Sequence, residues 1–575
     1  MTSKRKAADI DFERQPPEPL AERVLVTAMA LNPLVWLDRT QLLAAAGRVA
    51  VRALLEPRTL GRTMASLAGE LADIARRRST RAPEASDKRW SDPAFRENPI
   101  YHGVMQAYLA WRTAVHRLVD EVELDPKSRE RGRFALTLLT EAVAPTNTLV
   151  GNPAAIKRAF DTAARSLVAG TRHFAADLKE NGGLPTQVDR RPFRVGENLA
   201  TTPGQVVFRS KVLELLQYQP STPQVYEWPL LVIPPQINKY YILDLAPSRS
   251  LIEFAVQQGF QVFAVSWRNV TPAQREWDLG TYVQALKDAS DAVCEITSSK
   301  RLNLIAACAG GITTAVFMGH LAALSDERIA SGTFMVTVLD TSVPSTVGTL
   351  VSEKSVASSL HRSRERGVLG GGELARVFAL LRPNDLVWNY WVNNYLLGAD
   401  PPAFDILYWN NDSTNLPAAL HADFLTLYLE NSLCTPGLLE VLDTRIDLGR
   451  VTADVYAVGA LTDHITPWDA CYRTPFLFGG NKIFVASSSG HIQALVNPPT
   501  GSKARYFTND TLVADPKKWI AGAEEKLGTW WMHWAEWLRA RSGHEREAPR
   551  ELGSAAHPPL MKAPGRYVHQ VAGRP

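Results

Sequence analysis

Cysteine is scarce: four residues in 575, at 294, 308, 434 and 471. Four is too few for a disulfide scaffold, the short paired spacing of a zinc site is missing, and a reducing cytoplasm fits best. Long apolar runs are missing too. No uncharged stretch approaches the ~18 residues that span a bilayer. Met1 to Pro19 is charged and polar without the apolar segment of a secretory signal, so a soluble or peripheral protein is expected. Charge of one sign is not in excess. The 63 basic residues nearly balance 59 acidic ones, leaving +4 and no general signature of nucleic-acid binding. No metal-ligand cluster, paired-carboxylate pattern or phosphate loop stands out, and Gly370-Gly371-Gly372 lacks the Lys-Ser/Thr and strand context of a P-loop. Neither metal nor cofactor is expected.

What is present divides into a helical part and an alternating part. Residues 1–20 are charged and Pro-containing and are expected to be disordered. From Leu20 to Leu71 apolar residues recur at helical spacing, with Val35-Trp36-Leu37 and Leu42-Leu43 among them and Arg48, Arg52 and Arg58 between. Such basic amphipathic helices either pack on the domain or lie on an apolar surface. Arg76-Arg77-Arg78 with Arg81 reads as a solvated loop, with anion contact as the rival. Helical patterning runs from Pro99 to about Lys179, broken at Pro145 to Pro153, and a boundary is placed near 205. Residues 1–205 are read as a mostly helical N-terminal domain and 206–575 as an α/β domain.

In the second part short apolar strands are expected at Pro229–Ile233, Gln261–Ser266, Leu302–Ala307, Phe334–Leu339, Asp454–Gly459 and Lys482–Ser487. Helices are expected at Ser250–Gly259, Leu279–Ser298 and Ile312–Leu324. The alternation argues for a mostly parallel sheet covered on both faces. It lapses at about 341–450, a block rich in Trp, Tyr, Asn and Leu that reads as a cap or lid insertion. Trp519 to Leu538 reads as one terminal helix packing an aromatic stripe on the body.

Leu302-Asn303-Leu304-Ile305-Ala306-Ala307-Cys308-Ala309-Gly310-Gly311 is a strand, a sharp turn and a helix start. It has the shape of the nucleophile elbow G-x-S-x-G, with Ala306 for the first Gly and Cys308 for the Ser. Taken alone, Cys308 has a buried structural thiol as its alternative reading. In α/β-hydrolase topology the nucleophile's partners follow in the order acid, then histidine, each after a later strand. Asp463 follows the strand from Asp454, and His491 follows the strand from Lys482. His464, next to Asp463, is the rival base. A thiolate exchanges readily with a thioester, which favours acyl transfer over hydrolysis. Backbone N–H donors for the resulting oxyanion are nominated at Ala309 and at Ile237, in the loop Pro234-Pro235-Gln236-Ile237-Asn238-Lys239-Tyr240-Tyr241. Thr337 and Gln493 are candidates for the acyl pocket, with core or loop filler as the alternative. Cys294, Cys434 and Cys471 read as structural.

These motifs resemble the polyhydroxyalkanoate synthases. The match runs through the Pro234 to Tyr241 loop, Ser266-Trp267-Arg268-Asn269, Ala307-Cys308-Ala309-Gly310-Gly311 and Asn389-Tyr390-Trp391-Val392-Asn393-Asn394-Tyr395. It continues through Trp409-Asn410-Asn411-Asp412-Ser413-Thr414, Asp463-His464-Ile465-Thr466-Pro467-Trp468 and Ser489-Gly490-His491-Ile492. The length is similar to the single-subunit members. Arg275-Glu276-Trp277, Asn389-Tyr390-Trp391 and the ending from His557-Pro558-Pro559 to Tyr567-Val568-His569 look most like the Pseudomonas-type class II enzymes. Ala306, where the family usually has Gly, departs from the pattern and should crowd the elbow slightly.

The resemblance implies an α/β-hydrolase fold and an acyltransferase. Cys308 would take an acyl group from an (R)-3-hydroxyacyl-CoA of medium chain length, with His491 as base and Asp463 orienting it or assisting the hydroxyl, and repeated transfer would build a polyester. It also implies a homodimer in the cytoplasm on the surface of polyester granules, with granule-associated proteins as candidate partners, the cap gating access and the N-terminal region holding the enzyme on the granule. A thioesterase or lipase-like hydrolase on the same fold, and a non-catalytic granule-surface protein, stand as alternatives.

Overall fold

Three of the N-terminal helices begin at an Asx-Pro pair. Asn98, Asp125 and Asn152 each accept a hydrogen bond from a first-turn N–H, and Pro99, Pro126 and Pro153 occupy the first helical position. The side-chain oxygen satisfies a donor that the helix leaves open, and the proline has none to lose. The protein is described by a computed structural model, in residues 39–85, 87–181, 183–343, 353–373, 383–463, 465–500 and 504–571. The expectations for residues 1–20 and for Val35-Trp36-Leu37 lie outside the described residues.

The described residues fall into two units, one within Met1–Asp189, Thr349–Ala357 and Arg376–Pro402, the other within Arg190–Gly348, Ser358–Ala375 and Ala403–Pro575. The first unit is helical: α1 (Arg39–Leu55), α2 (Pro57–Ala75), α3 (Pro99–Glu121), α4 (Pro126–Ala142) and α5 (Arg165–Glu180). Val49 and Ala53 of α1 are buried with Val119 and Val122, while Val51, Leu54 and Leu55 face outward. A second cluster gathers Trp90, Phe95, Met105, Tyr108 and Leu109. Arg76, Arg77 and Arg78 are exposed, whereas Arg81 pairs with Glu70 at 2.5 Å. A segment from far along the chain completes this unit. Trp391 donates to the Asn147 carbonyl at 3.1 Å, Tyr395 donates to Asp177 at 2.7 Å, and Phe174 of α5 meets both rings edge-on.

The second unit is built on an eleven-stranded sheet. Its strands are β1 (Gly204–Arg209), β2 (Leu213–Tyr218), β3 (Leu230–Ile233), β4 (Val262–Trp267), β5 (Leu302–Ala307), β6 (Ile329–Met335), β7 (Asp454–Ala460), β8 (Lys482–Ser487), β9 (Arg505–Thr508), β10 (Glu524–Leu527) and β11 (Met561–Lys562). The order is β10-β9-β8-β7-β6-β5-β3-β4-β2-β1-β11. The run from β8 through β4 is parallel, and the flanking strands are antiparallel. Along β5, Ile305 and Ala307 enter one apolar core while Leu302, Leu304 and Ala306 enter the other. Alternation of side chains across a strand that is covered on both faces is why this run reads as uninterrupted apolar sequence.

Several boundaries differ from the sequence expectations. The strand expected at Phe334–Leu339 ends at Met335, because Val336 takes φ +44° and donates instead to the Val458 carbonyl at 2.8 Å. The aromatic tail is not one helix. A short helix Pro516–Ala521, the strand β10 and the helix Trp531–Arg539 share it, and Gly528 turns with φ +97° between the last two. Trp519, Trp530, Trp531 and Trp534 are nevertheless all fully buried.

Candidate active site

Parallel strands deliver their C-terminal loops to one edge of a sheet. Here β3, β5, β7 and β8 lead into Pro234, Cys308, Leu461 and Ser488 respectively. Cys308 sits at the junction of β5 and α6 (Ala309–Ala323), with φ +49° and ψ −121°. Few non-glycine residues occupy that region, which costs about 1–3 kcal/mol and persists only where the surroundings enforce it. They do so here. The Cys308 N–H donates to the Met335 carbonyl at 3.0 Å, and its carbonyl accepts from Gly311 at 2.9 Å and Ile312 at 3.3 Å. The glycines are required by close approach: a Cβ on Gly310 would lie 2.5 Å from the Pro234 carbonyl oxygen, and one on Gly311 would lie 2.1 Å from Thr337 Oγ1. Ala306 is wholly buried, paired with Ile233 and Phe334, and its methyl belongs to the core cluster.

Asp463 and His491 meet at this edge. Asp463 Oδ2 lies 2.6 Å from His491 Nδ1. The carboxylate is held by its own turn: Oδ1 accepts from the N–H groups of Ile465 at 2.8 Å and Thr466 at 3.1 Å, and Oδ2 accepts from Thr466 Oγ1 at 2.7 Å. Burial works against the charged form of His491, but the Asp463 carboxylate and hydrogen bonding to the Cys308 side chain outweigh it and raise the imidazole to about 10. Asp463 is shifted the other way. Desolvation opposes its ionisation, yet His491 and the Thr466 donors hold it below the usual carboxylate value. The structure thus joins an imidazole and a carboxylate at the sheet edge that carries the Cys308 thiol. An imidazole so held is chemically able to accept a thiol proton and to be stabilised as the imidazolium.

Ala309 is the first residue of α6, so its N–H lacks an intrahelical partner, and the positive end of the helix faces the same space. The Ile237 loop abuts that helix, with Gln236 Nε2 donating to Thr313 Oγ1 at 2.9 Å. Among the described residues the Ile237 N–H has no acceptor. Thr337 is buried behind the elbow, donating to the Met335 carbonyl at 3.0 Å. Gln493 is exposed, on the short helix His491–Val496. His464 lies outside the described residues. Cys471 is buried, donates to the Thr466 carbonyl at 3.5 Å, and is pushed well above the ordinary thiol value by desolvation. Burial likewise raises Cys294 and Cys434 to about 11. Thr466 is the residue that sequence reasoning passed over. The signal was a hydroxyl three residues after an aspartate, the pattern of an Asp-anchored turn.

A parallel sheet with antiparallel edges, carrying a strained strand-to-helix turn and an Asp-His pair after two later strands, defines an α/β-hydrolase-type protein with cysteine at the elbow. Residues 229–498 match the alpha/beta hydrolase fold, and residues 86–255 match the family described as Poly-beta-hydroxybutyrate polymerase (PhaC) N-terminus. Poly(3-hydroxyalkanoate) polymerase 1 of Ectopseudomonas oleovorans is 47% identical over 542 residues, covering 94% of this chain and 97% of that protein. Polymerase 2 of the same organism is 46% identical over 538 residues, 93% and 96% of the two chains. The polymerase subunit PhaC of Cupriavidus necator is 40% identical over 501 residues, 84% and 83%. The chain belongs to the poly(3-hydroxyalkanoate) polymerase family.

Proposed function

We propose that this protein polymerises (R)-3-hydroxyacyl groups from their CoA thioesters, with Cys308 as the covalent carrier. The observation that carries this reading is the 2.6 Å contact of Asp463 with His491 behind a cysteine held at the elbow. His491 takes the thiol proton, and the sulfur attacks the thioester carbonyl. The Ala309 and Ile237 N–H groups receive the oxyanion. Its collapse breaks the bond to CoA, and the imidazolium protonates the leaving thiolate. A 3-hydroxyl, deprotonated through His491, then attacks an acyl thioester; an ester forms, a cysteine thiolate is released, and the chain grows by one unit. Asp463 stabilises the imidazolium in both half-reactions.

We propose that the monomers are of medium chain length. We propose also that residues 1–205 act as a helical granule-facing domain, that 341–450 is a cap insertion in the sequence of the domain 206–575, and that the enzyme works as a homodimer at the granule surface in the cytoplasm. Among the described residues no helix is long and apolar enough to cross a membrane.

Purified protein given (R)-3-hydroxyoctanoyl-CoA should release CoA and form insoluble polyester. Cys308→Ala should lose both while keeping its melting temperature. Undiminished turnover by Cys308→Ala would sink the nucleophile assignment, and CoA release without polymer would point to a thioesterase.

A further inference from the structure

The Pro234 to Tyr241 loop does not hold its shape by itself. Asn238, immediately after Ile237, takes φ +66°, a left-handed conformation uncommon outside glycine. The segment Trp409 to Thr414 grips this loop at five points. Thr414 Oγ1 accepts from the Asn238 N–H at 2.8 Å and donates to the Gln236 carbonyl at 2.8 Å. One hydroxyl therefore fixes the peptide groups on both sides of Ile237. Asp412 Oδ1 pairs with Lys239 Nζ at 2.9 Å, and its Oδ2 accepts from Tyr241 Oη at 2.9 Å. Trp409 Nε1 donates to the Lys239 carbonyl at 2.7 Å.

These groups are buried: Lys239 is 6% exposed and Asp412 8%. Desolvation draws the Lys239 ammonium below its ordinary value, with Asp412 opposing. A buried ion pair is weak evidence for net stability but tolerates little displacement of either partner, which suits a device that fixes geometry. Among the described residues the Ile237 N–H, between the two peptide groups that Thr414 fixes, has no acceptor of its own.

We propose that Thr414 and Asp412 are positioning residues that hold the Ile237 amide where the thioester oxyanion forms, and so govern the acylation of Cys308 without touching substrate. This rests on the reading of Ile237 as an oxyanion donor. Two reactions of the same sulfur separate the possibilities. Acylation by (R)-3-hydroxyoctanoyl-CoA passes through an oxyanion. Alkylation by iodoacetamide forms a carbon–sulfur bond and expels iodide with no oxyanion at all.

Thr414→Val and Asp412→Asn should slow single-turnover acylation by about 10- to 100-fold. Alkylation and KM should stay near wild type, and Thr414→Ser should restore acylation. Ile237→Pro, which removes the N–H, should acylate about 100-fold slower. If Ile237→Pro acylates at the wild-type rate, the donor reading fails and this proposal falls with it. If Ile237→Pro is slow but Thr414→Val and Asp412→Asn are not, the donor reading stands and the positioning role is overturned. Equal loss of acylation and alkylation in those two variants would also overturn it, as a loss of folded site.

Discussion

Cys308 is held in its strained conformation by backbone contacts, and the Asp463-His491 pair comes from loops after strands that begin more than 140 residues later. Chain order was enough to nominate Asp463 and His491 because parallel strands bring their C-terminal loops to one edge. The Thr466 hydroxyl that braces the carboxylate, and the exposure of Gln493, were not legible, since neither follows from strand order. The Asp463-His491 pair has a measurable signature. The His491 pKa rises from an ordinary 6.5 to about 10, so its contribution to stability is fully present below pH 6.5 and is lost as pH climbs through 10. His491→Gln should therefore lower the melting temperature more at pH 6 than at pH 10; an equal loss at both would contradict the pairing. His491→Gln should also lose far more activity than His464→Gln, measured as CoA release. The reverse ranking would make His464 the base.

At the scale of elements, the central strands and their helices were readable from apolar runs of strand length, each doubly buried. The sheet's edges were not. β10 is Glu-Glu-Lys-Leu, charged as solvent-exposed edge strands are, and carries no apolar pattern to find. The tryptophans at 519 and 530 to 537 looked continuous because burial, not helical spacing, is what they share. The elbow makes a sharper demand. Gly311→Ala would drive a methyl into Thr337, at a cost of about 1–3 kcal/mol for overpacking. Adding Thr337→Ala should recover part of that loss, read as a non-additive shift in the urea midpoint. Strict additivity would mean that the contact carries no energy.

For the whole molecule, the segment holding Asn389 to Tyr395 could be recognised as a motif but not placed, since nothing local says that its aromatic residues complete a helical unit built from the first 189 residues. That unit also contains a buried charge. Glu141 is 1% exposed and pairs with both Arg89 and Arg112. Glu141→Ala should cost about 1–3 kcal/mol in chemical unfolding, the loss of charge-assisted hydrogen bonds, since Arg89 keeps Asp87 as partner and Arg112 is one-third exposed. Removal of the exposed Arg52–Glu123 pair should change nothing measurable. The central claim is covalent polymer growth on Cys308. The most direct measurement is mass mapping of tryptic peptides after brief mixing with (R)-3-hydroxyoctanoyl-CoA: the Cys308 peptide should carry the hydroxyacyl mass, with none in Cys308→Ala. Acylation of another residue, or polymer made without any adduct on Cys308, would contradict it.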